Sequence, residues 1–441
     1  MNTFKVAIFG GGTVGGGVAR ILRENSALLE RRAGCPVELV TILDLFPSAS
    51  SKRHGIPLEL YCGNGGDLNR DEASKYMAQI LSNPEIDAVV ETIGGSSDYI
   101  LQVVLDILHS KKHLITANKA LLAKHGTAIM RAAVENQRAI GFEASVCGAI
   151  PVIKGINDCM SGDKIESVSG IMNGTSNYIL TKMSREGLSF YEALKGAQAM
   201  GYAEADPTLD INGGDAGHKL AILLRILYGI ETQPGDIPVS GIDTINAEDT
   251  RIAEETDAVI KLICYAQREQ NGVCATVQPM MVKKSNVLSD INNATNAIKL
   301  VGAYSRENLF VGQGAGSLET GSAIVSDIVY IARYGTASLR DYPSSGLSLV
   351  SFDSHVMPYT IIFDTEDVPG ITGIVTTAIG KQEINIDTVS HNMRVSGQAG
   401  ALFSIVTKPC TLTQIKAAVR DMQQTAPSIF VKEPKIIPVL A

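Results

Sequence analysis

Near its start the chain runs FKVAIFG into Gly10-Gly11-Gly12-Thr13-Val14-Gly15 and then GGVARILREN, an apolar strand, a glycine turn and a segment of helical period. No other feature narrows the fold as far. In the spacing Gly10-x-Gly12-x-x-Gly15 the first glycine permits a tight turn and the second lets backbone approach a pyrophosphate. The third lets a helix pack close to its strand. Phosphates then rest against the helix N-terminus, where N–H groups and the helix dipole favour anions. Gly10, Gly12, Thr13, Val14 and Gly15 are therefore candidate cofactor-binding residues. Alone, the pattern also fits a glycine turn of no special purpose, so its surroundings decide.

Those surroundings repeat the theme. A second strand, VELVTILD, ends in Asp44, the place for an acid that binds ribose hydroxyls. It lies 29 residues past Gly15, because the RENSALLERRAGCP connection is long, where ~20 is usual. IDAVVETIGG, with Thr92 in its turn, leads into SSDYILQVVLDIL, and KHLITAN supplies a fourth strand. Strands alternating with helices in this way predict a doubly wound parallel sheet that binds a dinucleotide. Lys52 and Arg53 could meet a 2′-phosphate, so NAD and NADP both stay open, and Asp44 tilts the choice toward NAD.

The bulk numbers remove other classes. A net charge of −8 with scattered basic residues argues against nucleic acid or an anionic membrane as partner. No apolar run reaches the roughly 18 residues of a membrane span, and MNTFKVAIFGGG leaves no room for a signal peptide. Seven cysteines, an odd number without a C-x-x-C pair, predict reduced thiols in a cytoplasmic protein. With 441 residues, two to three domains are expected.

From Gly141 the texture changes. GFEASVCGAIPVI carries one buried-looking acid, Glu143, and the strand KIESVSGIM, the segment NGTSNYILTKM and the amphipathic YEALKGAQAM follow. In GYAEADPTLDINGGDAGHKL four carboxylates, Glu204, Asp206, Asp210 and Asp215, precede Lys219. If DAGHKLAILLRIL is a helix, Asp215 and Lys219 share a face. They could equally form a solvated pair, or Asp215 could only cap the helix. DINGGD is not a calcium loop, because Asp215 stands where the loop needs glycine. Cys147 reads as core rather than as a thiol nucleophile, since no His–Cys pairing is evident.

Several motifs, in order, resemble the homoserine dehydrogenase family: the glycine fingerprint, ETIGG, TANKALLA, EASVCGAIP, GIMNGTSNYIL, GYAEADPTLDINGGDAGHKLAIL and GQGAGSLETGSAIVSDIV. The resemblance spans nearly the whole chain. It implies interconversion of L-homoserine and L-aspartate 4-semialdehyde with NAD or NADP, in threonine and methionine biosynthesis. It further implies Lys219 as the catalytic lysine, and Lys119 as a second lysine near nicotinamide and substrate. Glu204 and Asp215 become substrate-binding acids with Asp210 in support, and Gly201 and Gly316 lie near the nucleotide. Glu143, Val146, Gly148 and Ile150 match positions that hold a monovalent cation such as sodium, the last three through backbone carbonyls. A homo-oligomer, dimer or tetramer, is also expected. Homoserine carries an ammonium, which needs carboxylate acceptors, and an alcohol whose oxidation needs a base. Two rivals remain: an acylating semialdehyde dehydrogenase using Cys147, and a nucleotide- and amino-acid-binding sensor without catalysis.

PYTIIFD, VPGITGIVTTAIGKQ, INIDTVSHN, ALFSIVT, TLTQIKAAVRDMQQ and KIIPVL read β, α, β, β, α, β, a ferredoxin-like tail. The acid before Pro369-Gly370 resembles the ligand-binding turn of ACT domains, and family analogy makes threonine the effector. The expected class is α/β, with three parts. A Rossmann-type nucleotide-binding domain covers 1–140 plus 310–345, an α+β catalytic and dimerisation domain 141–309, and an ACT-like regulatory domain 356–441.

Overall fold

A computed structural model describes residues 2–392 and 400–441, and the chain forms two compact units. The first comprises residues 1–165, 218–236 and 301–347, and the second 166–217, 237–300 and 348–441.

In the first unit, β1 (Phe4–Phe9), β2 (Val37–Leu43), β3 (Ala88–Glu91), β4 (His113–Thr116) and β5 (Ile140–Gly141) form one parallel sheet in the order β2-β1-β3-β4-β5. Every residue of β3 and β4 is buried, as expected of parallel strands covered on both faces. The strand order reverses beside β1, and in such sheets the ligand crevice lies at the carboxyl ends of the strands at that point. Helix Thr13–Glu24 packs against helix Ser317–Tyr334. The backbones meet so closely that a Cβ on Gly17 would stand 2.3 Å from the Ser317 carbonyl oxygen. Ser317 Oγ donates to the Thr13 carbonyl at 2.6 Å. The glycine run beyond the fingerprint therefore serves helix packing. Val6, Ile8, Val18, Ile42, Val90, Ile115 and Ile324 share the core of this unit.

In the second unit, β6 (Ile165–Ile171), β7 (Ala258–Glu269), β8 (Gly272–Lys283) and β9 (Thr295–Gly302) build a sheet around a long β7–β8 hairpin. The tail adds β10 (Tyr359–Thr365), β11 (Ile386–Asn392), β12 (Ala401–Thr407) and β13 (Lys435–Leu440), with helices Ile371–Lys381 and Leu412–Thr425 between them. Its strands pair antiparallel in the order β13-β10-β12-β11. At its edge β13 pairs parallel with β8, Val439 opposite Met281. Tail and hairpin also share one core, in which Tyr359, Phe363 and Phe403 join Ile263, Cys274 and Met280. Alternation within single strands does not reveal that junction, which two ladder pairs and a common apolar core create.

Candidate active site

At the carboxyl end of β1, Gly10 N donates to the Leu43 carbonyl and Thr92 Oγ1 donates to the Gly10 carbonyl, at 2.8 and 2.7 Å. A Cβ on Gly15 would lie 1.9 Å from that same Gly10 oxygen, so only glycine closes this turn. Gly12 is different. It precedes helix Thr13–Glu24 without a side-chain cap, and a Cβ there would meet nothing within 4 Å. Its lack of a side chain leaves space outside the chain, beside N–H groups that no side chain caps. That cradle fits a pyrophosphate. Thr13 is exposed and Val14 half-buried beside it. Asp44 stands at the turn, its Oδ2 accepting from Gly11 N at 2.5 Å and its Oδ1 from Phe46 N at 2.7 Å. Lys52 and Arg53 are exposed on the short helix Pro47–His54.

A second turn is held by residues the sequence did not single out. Glu91 is wholly buried at the end of β3, and its Oε1 accepts from Ile93 N and Gly94 N at 2.9 and 3.0 Å. Its Oε2 accepts from Thr116 Oγ1 at 2.6 Å, and that oxygen accepts in turn from Asn118 N at 3.0 Å. Asn118 caps helix Lys119–Asn136 through Leu121 N and donates to the Gly95 carbonyl at 2.7 Å. Half-buried Lys119 thus begins a helix whose start is tied to the ETIGG turn. The Asn before a helical run was the readable signal.

In the second unit the carboxylates sort by environment. Asp206 Oδ1 accepts from Thr208 N and Oγ1, at 3.1 and 2.5 Å, as a turn residue. Glu204 and Gly201 are exposed. Asp210 and Asp215 share one donor: Asn173 Nδ2 reaches Asp210 Oδ1 at 2.8 Å and Asp215 Oδ2 at 2.9 Å. Asn173 Oδ1 meanwhile caps helix Gly174–Glu186 through Ser176 N, and Ser176 Oγ donates to the Asp210 carbonyl. NGTSN therefore positions the acids, and periodicity does not register it. Asn177 acts elsewhere, accepting from the buried Lys261, whose ammonium burial pushes down to about 7. Helix Gly214–Tyr228 carries Asp215 and Lys219 one turn apart, 7 % and 6 % exposed. Half-buried His218 stands beside them in sequence.

The loop from Glu143 to Ile150 is buried in the first unit except for Ala149. Both Glu143 carboxylate oxygens are committed, accepting at 2.8 Å from Ile153 N and Lys154 N. Burial and neighbouring Asp327 push this carboxyl up to about 7. Asp327, itself raised by burial, accepts from Glu143 N at 2.9 Å and pairs with Lys154 Nζ at 2.7 Å. The Ile150 carbonyl accepts from Val152 N, and a Cβ on Gly148 would meet the Gly314 carbonyl at 2.7 Å. Val146 and Cys147 are wholly buried, Cys147 with a left-handed φ of 56°. Gly316 opens helix Ser317–Tyr334. None of the seven cysteines forms a disulfide, and no helix among the described residues is long and apolar enough to cross a membrane.

Two family models match the sequence. "Homoserine dehydrogenase, NAD binding domain" covers residues 10–143 and "Homoserine dehydrogenase" residues 151–329. The chain is 32% identical over 432 residues to the homoserine dehydrogenase of Neisseria gonorrhoeae, a match covering 96% of each chain. The crystal structure of a homoserine dehydrogenase from Thiobacillus denitrificans superposes with a TM-score of 0.88 at 31% identity, over 99% of this chain and 98% of that one. A hyperthermophilic archaeal homoserine dehydrogenase in complex with NADPH shares the fold, with a TM-score of 0.62 at 24% identity, over 77% of this chain and 99% of that one.

Proposed function

The chain belongs to the homoserine dehydrogenase family, as an NAD(P)-dependent oxidoreductase, and on that premise we propose how its residues divide the reaction. The observation that carries the reading is the pair of carboxylates held by one amide: Asn173 orients Asp210 and Asp215 together. An ammonium needs several oxygen acceptors once its water is stripped away. Asp215 and Glu204 receive the ammonium of homoserine, with Asp210 in support. Lys219, one helical turn beyond Asp215, takes the proton of the substrate hydroxyl during oxidation and returns it to the aldehyde oxygen during reduction. Lys119 polarises the same oxygen. When bound, NAD(P) supplies the hydride acceptor or donor. Gly10, Gly12, Thr13, Val14, Gly15, Thr92, Gly201 and Gly316 line its binding region. Asp44 receives the ribose, and its carboxylate at the turn favours NAD over the additional phosphate of NADP.

A monovalent cation at Glu143, Val146, Gly148 and Ile150 would draw on the main-chain carbonyls of the last three, beside a Glu143 carboxylate that accepts from two backbone N–H groups and keeps further lone pairs. The tail is read as an ACT-like regulatory domain that senses threonine. The antiparallel order of its strands and the Asp367-to-Gly370 turn before helix Ile371–Lys381 support that assignment. A thiol mechanism at Cys147 has little support, given a side chain sealed in the core.

The deciding assay measures homoserine-dependent reduction of NAD and of NADP, with and without threonine. Turnover that survives Cys147→Ser and is lost in Lys219→Ala supports this division of roles, and the reverse pattern overturns it. A rate indifferent to threonine removes the regulatory reading, as does inhibition unchanged in Asp367→Ala.

A further inference from the structure

The turn end of the β7–β8 hairpin holds a side-chain cluster that the reaction does not use. Glu269, Cys274 and His355 each offer one metal-ligating atom, and these atoms all lie within 4.8 Å of one another. Glu269 ends β7, Cys274 stands diagonally across the ladder on β8, and His355 follows the turn Phe352–Ser354 that leads into the tail. Cys274 and His355 are buried, while the Glu269 side chain is 35% exposed and leaves a way in.

The three ligand atoms converge on one another through hydrogen bonds whose protons a cation would displace. Tyr265 donates its O–H to Gln267 Oε1, so its oxygen accepts the proton on His355 Nε2 at 3.2 Å. His355 Nδ1 then stands 2.6 Å from Glu269 Oε1, a carboxylate oxygen that offers only lone pairs in return. The Cys274 thiol donates to the same carboxylate oxygen at 3.7 Å. A proton bridges this pair in the hydrogen bond, and a metal ion can take the place of that proton. Thiolate sulfur, imidazole nitrogen and carboxylate oxygen are a zinc donor set. The sulfur–oxygen spacing already suits a tetrahedral ion, and the nitrogen–oxygen pair needs to open by less than about 1 Å. The second ring nitrogen bonded to Tyr265 fixes tautomer and ring orientation, as the outer hydrogen bond of a metal-ligating histidine does. Phe352 and Tyr265 pack edge to face and line one wall.

We propose that Glu269 Oε1, Cys274 Sγ and His355 Nδ1 bind one zinc ion, with water in the fourth position. The ion clips the segment entering the tail onto the β7–β8 hairpin. Burial and Glu269 hold the metal-free Cys274 thiol up at about 12, so binding zinc releases its proton.

The test uses the full chain, stripped by dialysis against a chelator and titrated with cobalt(II) as a spectroscopic probe. One equivalent should bind with a thiolate-to-cobalt charge-transfer band that zinc(II) abolishes. Cys274→Ser should lose the band, whereas Cys159→Ser, which removes an exposed thiol, should keep it. Tyr265→Phe retains all three ligands and should weaken cobalt binding about 10–100-fold with the band preserved. That variant decides the matter if Cys274→Ser does not fold. No band in the wild-type chain, a band that persists in Cys274→Ser, or unchanged affinity in Tyr265→Phe overturns the site.

Discussion

The side-chain amide of Asn173 donates to Asp215 at 2.9 Å, and the same nitrogen reaches Asp210 at 2.8 Å. One amide thereby holds both carboxyl groups, which on the proposed reading receive the substrate ammonium together. A hydrogen bond to a charged group contributes about 1.5–3 kcal/mol. Asn173→Ala should therefore lower kcat/KM for homoserine about 10–100-fold, while leaving the affinity for NAD(P) intact. Steady-state kinetics beside a cofactor titration checks both. An unchanged kcat/KM would mean that the two acids hold their places unaided.

Lys219 is 6 % exposed on the same helix as Asp215. Removing a positioned proton-transfer group costs about 10²–10⁴ in rate. Lys219→Ala should show that loss in kcat in both directions, with cofactor affinity little altered. Equal losses in turnover and in cofactor binding would assign the lysine to the nucleotide.

Gly12 offers a clean probe of the cradle, because a Cβ there meets nothing within 4 Å. Gly12→Val should keep the thermal midpoint close to that of the unsubstituted chain and weaken NAD(P) binding by about tenfold or more. Gly15→Ala forces a carbon against the Gly10 carbonyl and should lower both. Retained cofactor affinity in Gly12→Val would move the pyrophosphate elsewhere.

Glu143 links stability to pH. Burial and Asp327 raise its folded-state value to about 7. Below its ordinary value near 4.5 it is neutral in both states. Between that value and about 7 the unfolded chain ionises this carboxyl while the folded protein keeps it protonated, so stability should fall across that window by up to about 3 kcal/mol and level off above it. Urea midpoints measured from pH 5 to 8 should show that decline, and Glu143→Gln should flatten it. A decline of equal size in Glu143→Gln would place the titration in another group.

Much of the fold is legible in the sequence. The glycine turn, Asp44 and the alternation of strands with helices name a dinucleotide fold, because each reports a local backbone requirement or a face-by-face burial pattern. NGTSNYIL and GYAEADP…DAGHK mark the family. Glu91 was not legible: it reads as one more charged residue at a strand end, although its carboxylate holds two turns. Asp327 hid inside an ordinary amphipathic helix.

The chain's own order therefore determined the succession of elements, the glycine turn after β1, and the motifs that mark the family. Tertiary structure alone decided which groups meet. Asn173 and Asp215 are 42 residues apart, Glu143 and Asp327 are 184 apart, and the tail shares a core with a hairpin formed far earlier. The physical reason is range. Turn chemistry and hydrophobic period act over a few residues, whereas a hydrogen bond between distant side chains exists only after packing has placed both backbones within a few ångströms.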